Sequence, residues 1–319
     1  MPPSTQGQAR VVAVANTKGG VAKTTTCLSL GGGLADQGRL VLLVDLDPQA
    51  HLTSSMGLSP KDLRRTVSDV LLGHSSLTAV SRETPVYGLD VAPANNELVV
   101  IERILYKHPG YEHRLKTGIE QMHGGSYDII LMDCPPTFGT ATINALTAAD
   151  LLVVPMPCEH YAVQALGRML DMVRVTRRKT NPCLNYRLLV TMYDMRNRVH
   201  PLILRSLRDR FPEALFETMI QVDTKLRESP AFAKPITAYA PRTRAARQYT
   251  TLARELIDHL DRRPREGVAS LIGAGTGSAA LAAERARQPE DAHTTRVLAL
   301  ESPGEGMHIR QVAPGGNSL

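Results

Sequence analysis

Tryptophan is absent from this 319-residue chain, and the aromatic residues together make up only 4% of it. Aromatic platforms that stack the bases of a single strand are therefore not expected. Cysteine is scarce as well. Cys27, Cys134, Cys158 and Cys183 are scattered without a C-x-x-C pair, which argues against a zinc site or a disulfide framework and for reduced thiols in a cytosolic protein. The histidines form no H-E-x-x-H or other paired ligand pattern. No apolar run reaches the roughly 18 residues of a membrane span. The stretch Met1–Arg10 lacks the apolar core of a signal peptide. What remains is globular in composition, with 43% hydrophobic and 21% charged residues, and long enough for one large domain or two small ones. The net charge of +6 points to an acidic partner.

Apolar runs recur at Val11–Ala15, Leu40–Val44, Leu89–Ala92, Ile129–Met132, Leu151–Pro155, Leu188–Met192 and Phe216–Ile220. Several are continuous Val, Ile and Leu, as in strands covered on both faces. Helix-length segments separate most of them, among them Thr24–Gln37, Ala162–Lys179, Pro201–Arg210 and Thr250–Leu260. The expected fold is α/β, a mainly parallel twisted sheet with helices on both faces. Gly31-Gly32-Gly33 inside the first helix costs roughly 1 kcal/mol per glycine against alanine, which close packing on the sheet would explain. From about residue 264 the chain is rich in Gly, Ala, Pro and polar residues. The expected organisation is a flexible N-terminus over 1–8, one domain over 9–263, and a low-complexity, disordered tail over 264–319.

The most specific signal follows the first apolar run. Asn16-Thr17-Lys18-Gly19-Gly20-Val21-Ala22-Lys23-Thr24-Thr25 joins a strand to a helix through a glycine loop ending in Lys-Thr. Backbone N–H groups and the positive helix end then face one point, where an anion is stabilised. Lys23 would add a charge on the phosphates, and the Thr24 hydroxyl could ligate Mg²⁺. The strict G-x-x-x-x-G-K-[ST] pattern fails at Thr17 and Ala22, and a second lysine, Lys18, opens the loop. An ordinary Gly-rich turn with surface lysines would carry much the same letters. Two apolar runs end in carboxylates, Val44-Asp45-Leu46-Asp47-Pro48-Gln49 and Met132-Asp133-Cys134-Pro135-Pro136. In a parallel sheet these ends gather on the edge holding the phosphate loop. All three carboxylates are expected to face the ligand crevice and avoid burial.

These three stretches, in this order, resemble the deviant Walker A, A′ and B motifs of the ParA/Soj family of partition ATPases, which are related to MinD. Pro157-Cys158-Glu159-His160-Tyr161-Ala162, Thr191-Met192-Tyr193-Asp194-Met195-Arg196 and Leu226-Arg227-Glu228-Ser229-Pro230-Ala231-Phe232-Ala233-Lys234-Pro235 resemble the same family. The likeness covers about residues 9–262. It implies a P-loop ATPase that uses ATP and Mg²⁺, with Gly19, Gly20, Val21, Ala22, Lys23, Thr24, Thr25 and Glu159 around the nucleotide. Lys18 resembles the lysine that crosses an ATP-bound homodimer to the partner's phosphates. Lys23 corresponds to the phosphate lysine in cis, and Thr24, Asp45 and Asp133 to the metal site, the two carboxylates acting through water. Asp47 corresponds to the carboxylate that supports water attack. Ala22 replaces the usual glycine, which is harmless at negative φ and costly at positive φ. The expectation is tolerance, with slow turnover.

From Arg174 to Arg247 the chain carries sixteen Lys and Arg against six Asp and Glu. Such an excess, in a chain poor in aromatics and without a helix-turn-helix pattern, suits phosphate contact without base readout, that is, nonspecific double-stranded DNA. Arg196 and Lys225 resemble the family's DNA-contacting positions, and Arg227 belongs to the same basic group. The stretch before the first strand leaves no room for an added DNA-binding domain, so operator-specific autoregulation is not expected. The implied protein is cytoplasmic and nucleoid-associated, works with a ParB-like partner, and moves a chromosome or plasmid. Three alternatives remain open at this point. They are positioning of a protein cargo such as chemoreceptors, MinD-like membrane cycling, and a metabolic P-loop enzyme. The second needs a basic amphipathic helix that the tail does not show.

Overall fold

The computed structural model describes residues 8–122, 124–159 and 162–262. Residues 1–7 of the expected flexible N-terminus, and the expected tail, lie outside the described residues. The seven strands among the described residues are β1 (Arg10–Val14), β2 (Val41–Asp45), β3 (Arg82–Glu83), β4 (Leu89–Ala92), β5 (Ile129–Asp133), β6 (Leu151–Pro157) and β7 (Asn185–Thr191). They form one sheet in the order β3-β4-β2-β5-β1-β6-β7. Every pairing is parallel except that of β3 with β4. The strands read from the sequence as unbroken Val, Ile and Leu are the central ones, buried on both faces.

Helices cover both sides. They are α1 (Lys23–Ala35), α2 (His51–Ser55), α3 (Val67–Leu72), α4 (Leu77–Val80), α5 (Leu98–Leu105), α6 (Arg114–Glu120), α7 (Thr140–Ala148), α8 (Ala162–Lys179), α9 (His200–Arg210), α10 (Thr224–Glu228), α11 (Ile236–Tyr239) and α12 (Arg244–Asp261). Side-chain alternation along the strands divides the interior into two cores. Val11 and Ala13 join one with α3 to α9, while Val12 and Val14 join the other with α1 and α12. In α12 the residues Tyr249, Leu252, Leu256 and Leu260 are buried on one face, with Ile257 at its margin. This helix starts six residues earlier than its apolar pattern suggests, because the Thr243 hydroxyl caps it by accepting from the Ala246 N–H at 3.2 Å.

The glycine run in α1 has the close-packing role expected of it. A Cβ on Gly31 would stand 2.8 Å from Leu43 Cδ2 on the sheet, and one on Gly33 would stand 2.9 Å from the Tyr249 carbonyl of α12. One expected strand does not form. The segment Phe216–Ile220 runs beside the edge strand β7, donating from Phe216 N to Leu188 O (2.9 Å) and from Ile220 N to Val190 O (2.9 Å). The intervening N–H groups of Glu217 and Thr218 go instead to the Glu255 carboxylate at 2.7 and 3.0 Å. A side chain thus replaces the ladder, and the segment covers the edge without joining the sheet. The short strand β3 carries too few residues for its period to show in the sequence.

Candidate functional site

The parallel register brings the motif ends together. Asp45 pairs with Asp133 across β2 and β5, and Val14 pairs with Asp133 across β1 and β5. The loop from Asn16 to Ala22 therefore leaves β1 beside both carboxylates. Asn16 anchors its start by donating to Pro155 O at 2.8 Å and accepting from Lys18 N at 3.0 Å. Thr191 of β7 holds its end by donating to Val21 O at 3.2 Å. Helix α1 begins at Lys23 with no side chain capping its first turn, so its leading N–H groups are left for an anion. Lys23 is buried and curls back, its Nζ donating to Lys18 O at 3.2 Å. Burial lowers its pKa, and the charges of Asp133 and Asp47 oppose that fall.

Ala22 adopts φ 68° and ψ 34°, in the left-handed region. This is the costly branch of the expectation, so the loop carries backbone strain at that residue. Ala50 and Met192 also have positive φ, at 51° each. Ala22 and Met192 line one cavity, and the neighbours of Ala50, Gln49 and His51, line it too. Strain of this kind gathers where function constrains the backbone.

That cavity has a volume of about 500 Å³. Its lining combines Gly19, Gly20, Lys23, Thr24, Thr25 and Asp47 with the apolar side chains of Met192, Ile220, Val222 and Leu226. These apolar residues come from just past the end of β7, from the irregular segment after α9 and from α10, and only the fold brings such distant stretches to one cavity. Arg227, grouped in the sequence with DNA contacts, also lines this cavity.

The carboxylates differ from expectation. Asp47 is half-buried and faces the cavity, but Asp45 and Asp133 are buried at 0% and 1% exposure. The chain from Leu46 to Ser55 folds back over the end of β2, which is why Asp45 is covered. Its Oδ2 accepts from the Thr53 N–H (2.8 Å) and hydroxyl (2.7 Å), and its Oδ1 from the Asp47 N–H (3.1 Å). Thr53, on α2, was not legible because its role depends on this fold-back. Burial pushes the Asp45 carboxyl up to about 6 against the pull of these bonds. Asp133 lies well above the usual carboxylate range, first through burial and then through the charge of Asp45. The Thr24 hydroxyl and Lys23 oppose that rise. Among the described residues neither oxygen of Asp133 has a hydrogen-bond partner.

The remaining predicted residues lie outside the cavity lining. Lys18 forms an ion pair with Glu159, both partly exposed. Arg196 is held by its neighbour Asp194 through Nε at 3.0 Å and Nη2 at 2.9 Å. Lys225 donates to Glu228 at 2.8 Å. No helix among the described residues is long and apolar enough to cross a membrane.

Comparison with known proteins gives a consistent picture. A family model described as an AAA domain matches residues 9–186. The sporulation initiation inhibitor protein Soj of Bacillus subtilis is 39% identical over 248 residues, covering 77% of this chain and 98% of that protein. The chromosome partitioning protein ParA of Caulobacter vibrioides is 36% identical over 250 residues, covering 78% and 94%. Among solved structures, one described as cobyrinic acid a,c-diamide synthase from Mycobacterium smegmatis, with bound ATP analog and magnesium, superposes with a TM-score of 0.70. It is 36% identical, over 79% of this chain and 96% of that one.

Proposed function

The chain belongs to the ParA/Soj family, and on that premise we propose that it is an ATP-hydrolysing, DNA-binding switch in chromosome or plasmid partition. The observation that carries the nucleotide reading is the buried, unpartnered Asp133 carboxylate beside Thr24 and Lys23. Burial without a hydrogen-bond partner disfavours the charged form of this carboxyl, and a cation placed beside it would favour that form. Mg²⁺ takes one or two protein oxygens and completes its shell with water and phosphate, so Asp133 and the Thr24 hydroxyl fit it. Bound there, Mg²⁺ would neutralise charge on the phosphate oxygens of ATP.

The chain's own groups divide the remaining work. The backbone from Gly19 to Thr25 and the start of α1 cradle the phosphates, and Lys23 adds positive charge at the buried end. Asp45 has committed its oxygens to Thr53 and Asp47. It therefore serves the site by fixing the backbone of Asp47, whose carboxylate then orients the attacking water. Lys18 sits at the rim, and its release from Glu159 would free it for the phosphates of a second copy. That exchange supports ATP-dependent homodimerisation. The closed dimer would present Arg196 and Lys225 to duplex phosphates once their carboxylate partners yield. A ParB-like protein would stimulate hydrolysis, and the working location is the nucleoid in the cytoplasm.

ATPase activity measured with duplex DNA, with the ParB-like protein and with both tests the proposal. Synergy between the two is expected, and indifference to both would overturn it. The likeness to a structure described as a synthase favours a second reading, an enzyme acting on a small molecule. That reading expects an ATPase dependent on its substrate, and no DNA binding in about 50 mM salt.

A further inference from the structure

Three cations were grouped as DNA contacts from the sequence, and the structure separates one of them. Arg196 is held by Asp194, and Lys225 by Glu228. Arg227 has no carboxylate partner among the described residues, and it lines the cavity that also contains Lys23, Thr24 and Thr25. Two acidic side chains share that lining, Asp47 and Asp223. Both are engaged by backbone N–H groups, Asp47 by Gln49 at 2.9 Å and Asp223 by Lys225 at 3.0 Å. Neither forms an ion pair with Arg227 among the described residues.

The backbone under Arg227 is well fixed. Leu226 is buried in the α1–α12 core. Glu228 accepts from the Tyr239 hydroxyl at 2.9 Å, and Arg244 ties the segment from the other side by donating to Val222 O at 2.8 Å. The position of Arg227 in the cavity lining is thus set by its neighbours, while its side chain stays exposed. An uncompensated guanidinium on a fixed stem, beside a cavity built to hold phosphates, will pair with an anion placed there. Its planar fork suits phosphate oxygens.

We propose that Arg227 is a nucleotide-contacting residue whose guanidinium pairs with the phosphate chain of ATP held on the Gly19–Thr25 loop. This rests on the nucleotide reading given above. It moves Arg227 from the DNA surface to the nucleotide site and gives that site a basic residue from α10 in addition to Lys23.

The test is calorimetric titration of the full chain with Mg-ATP and with adenosine. Wild type is compared with Arg227→Ala and Arg227→Lys, with urea unfolding of each as a folding control. Arg227→Ala is expected to weaken ATP binding by roughly tenfold, as for loss of a charge-assisted contact, and to leave adenosine binding unchanged. Arg227→Lys, which keeps the charge and loses the fork, is expected to fall between. Unchanged ATP affinity in Arg227→Ala, with weakened duplex binding, would overturn the inference and leave the nucleotide reading intact. An equal loss for adenosine would overturn the phosphate pairing. Absence of ATP binding by the wild type would overturn both.

Discussion

Replacing Ala22 by glycine should stabilise this protein, and the size of the gain can be worked from one backbone angle. At φ 68° and ψ 34° the alanine Cβ crowds its own carbonyl, which costs an L-residue about 1–2 kcal/mol. Glycine removes that cost but brings a freer unfolded chain, a loss of about 0.4–1 kcal/mol. The methyl itself packs little, since Ala22 is half-buried against an open cavity. As the residue before α1, Ala22 also occupies a cap position where glycine is preferred to alanine. The net gain is about 0.5–1 kcal/mol, or about 1–4 °C for a domain of this size. Urea unfolding without nucleotide should show a higher midpoint at unchanged slope. Ala22→Val, which adds a β-branch at the same angle, should lower the midpoint. A Gly variant less stable than wild type, or a neutral Val variant, would refute a left-handed Ala22.

Two further outcomes follow from the buried groups. Burial raises the Asp45 carboxyl to about 6 in the folded protein. Between its unfolded value and about 6 the native state therefore holds more protons than the unfolded one. The stability from this group is full below the unfolded value and is lost as pH rises to about 6, by on the order of 3 kcal/mol. Unfolding of the nucleotide-free protein from pH 4 to 7 should show this decline. Asp133→Asn, which removes the neighbouring buried titratable carboxyl, should flatten it and raise stability at pH 7, whereas a steeper decline in that variant would contradict the assignment. Gly33→Ala would force a Cβ to 2.9 Å from the Tyr249 carbonyl, and the strain between α1 and α12 should cost about 1–3 kcal/mol. A midpoint equal to wild type would show that the two helices are not in such close contact.

Much of the fold was legible because its central strands are unbroken apolar runs and its long helices carry one apolar face. Failures came where a partner distant in sequence took over. Phe216–Ile220 has the composition of a strand, yet Glu255 takes two of its N–H groups. The start of α12 is set by a threonine cap ahead of its apolar pattern. Among the candidate site residues, the order of loop, Asp45-Leu-Asp47 and Asp133 pointed to one sheet edge, and the register brings them there.

The sequence by itself determined the elements and the identity of the groups that could meet phosphate, because strand and helix periods and the Lys-Gly-Gly loop are local. Tertiary structure decided the state of those groups. Burial depends on what folds over a residue, so Asp45 lies under the returning chain and Asp133 is buried as well, and of the three only Asp47 lines the cavity. Pairing depends on which opposite charge comes within reach, so Lys18, Arg196 and Lys225 are held by carboxylates, while Arg227 lines the cavity with no carboxylate partner among the described residues. The angle at Ala22 is fixed by how β1 must turn into α1, which no single residue type reveals.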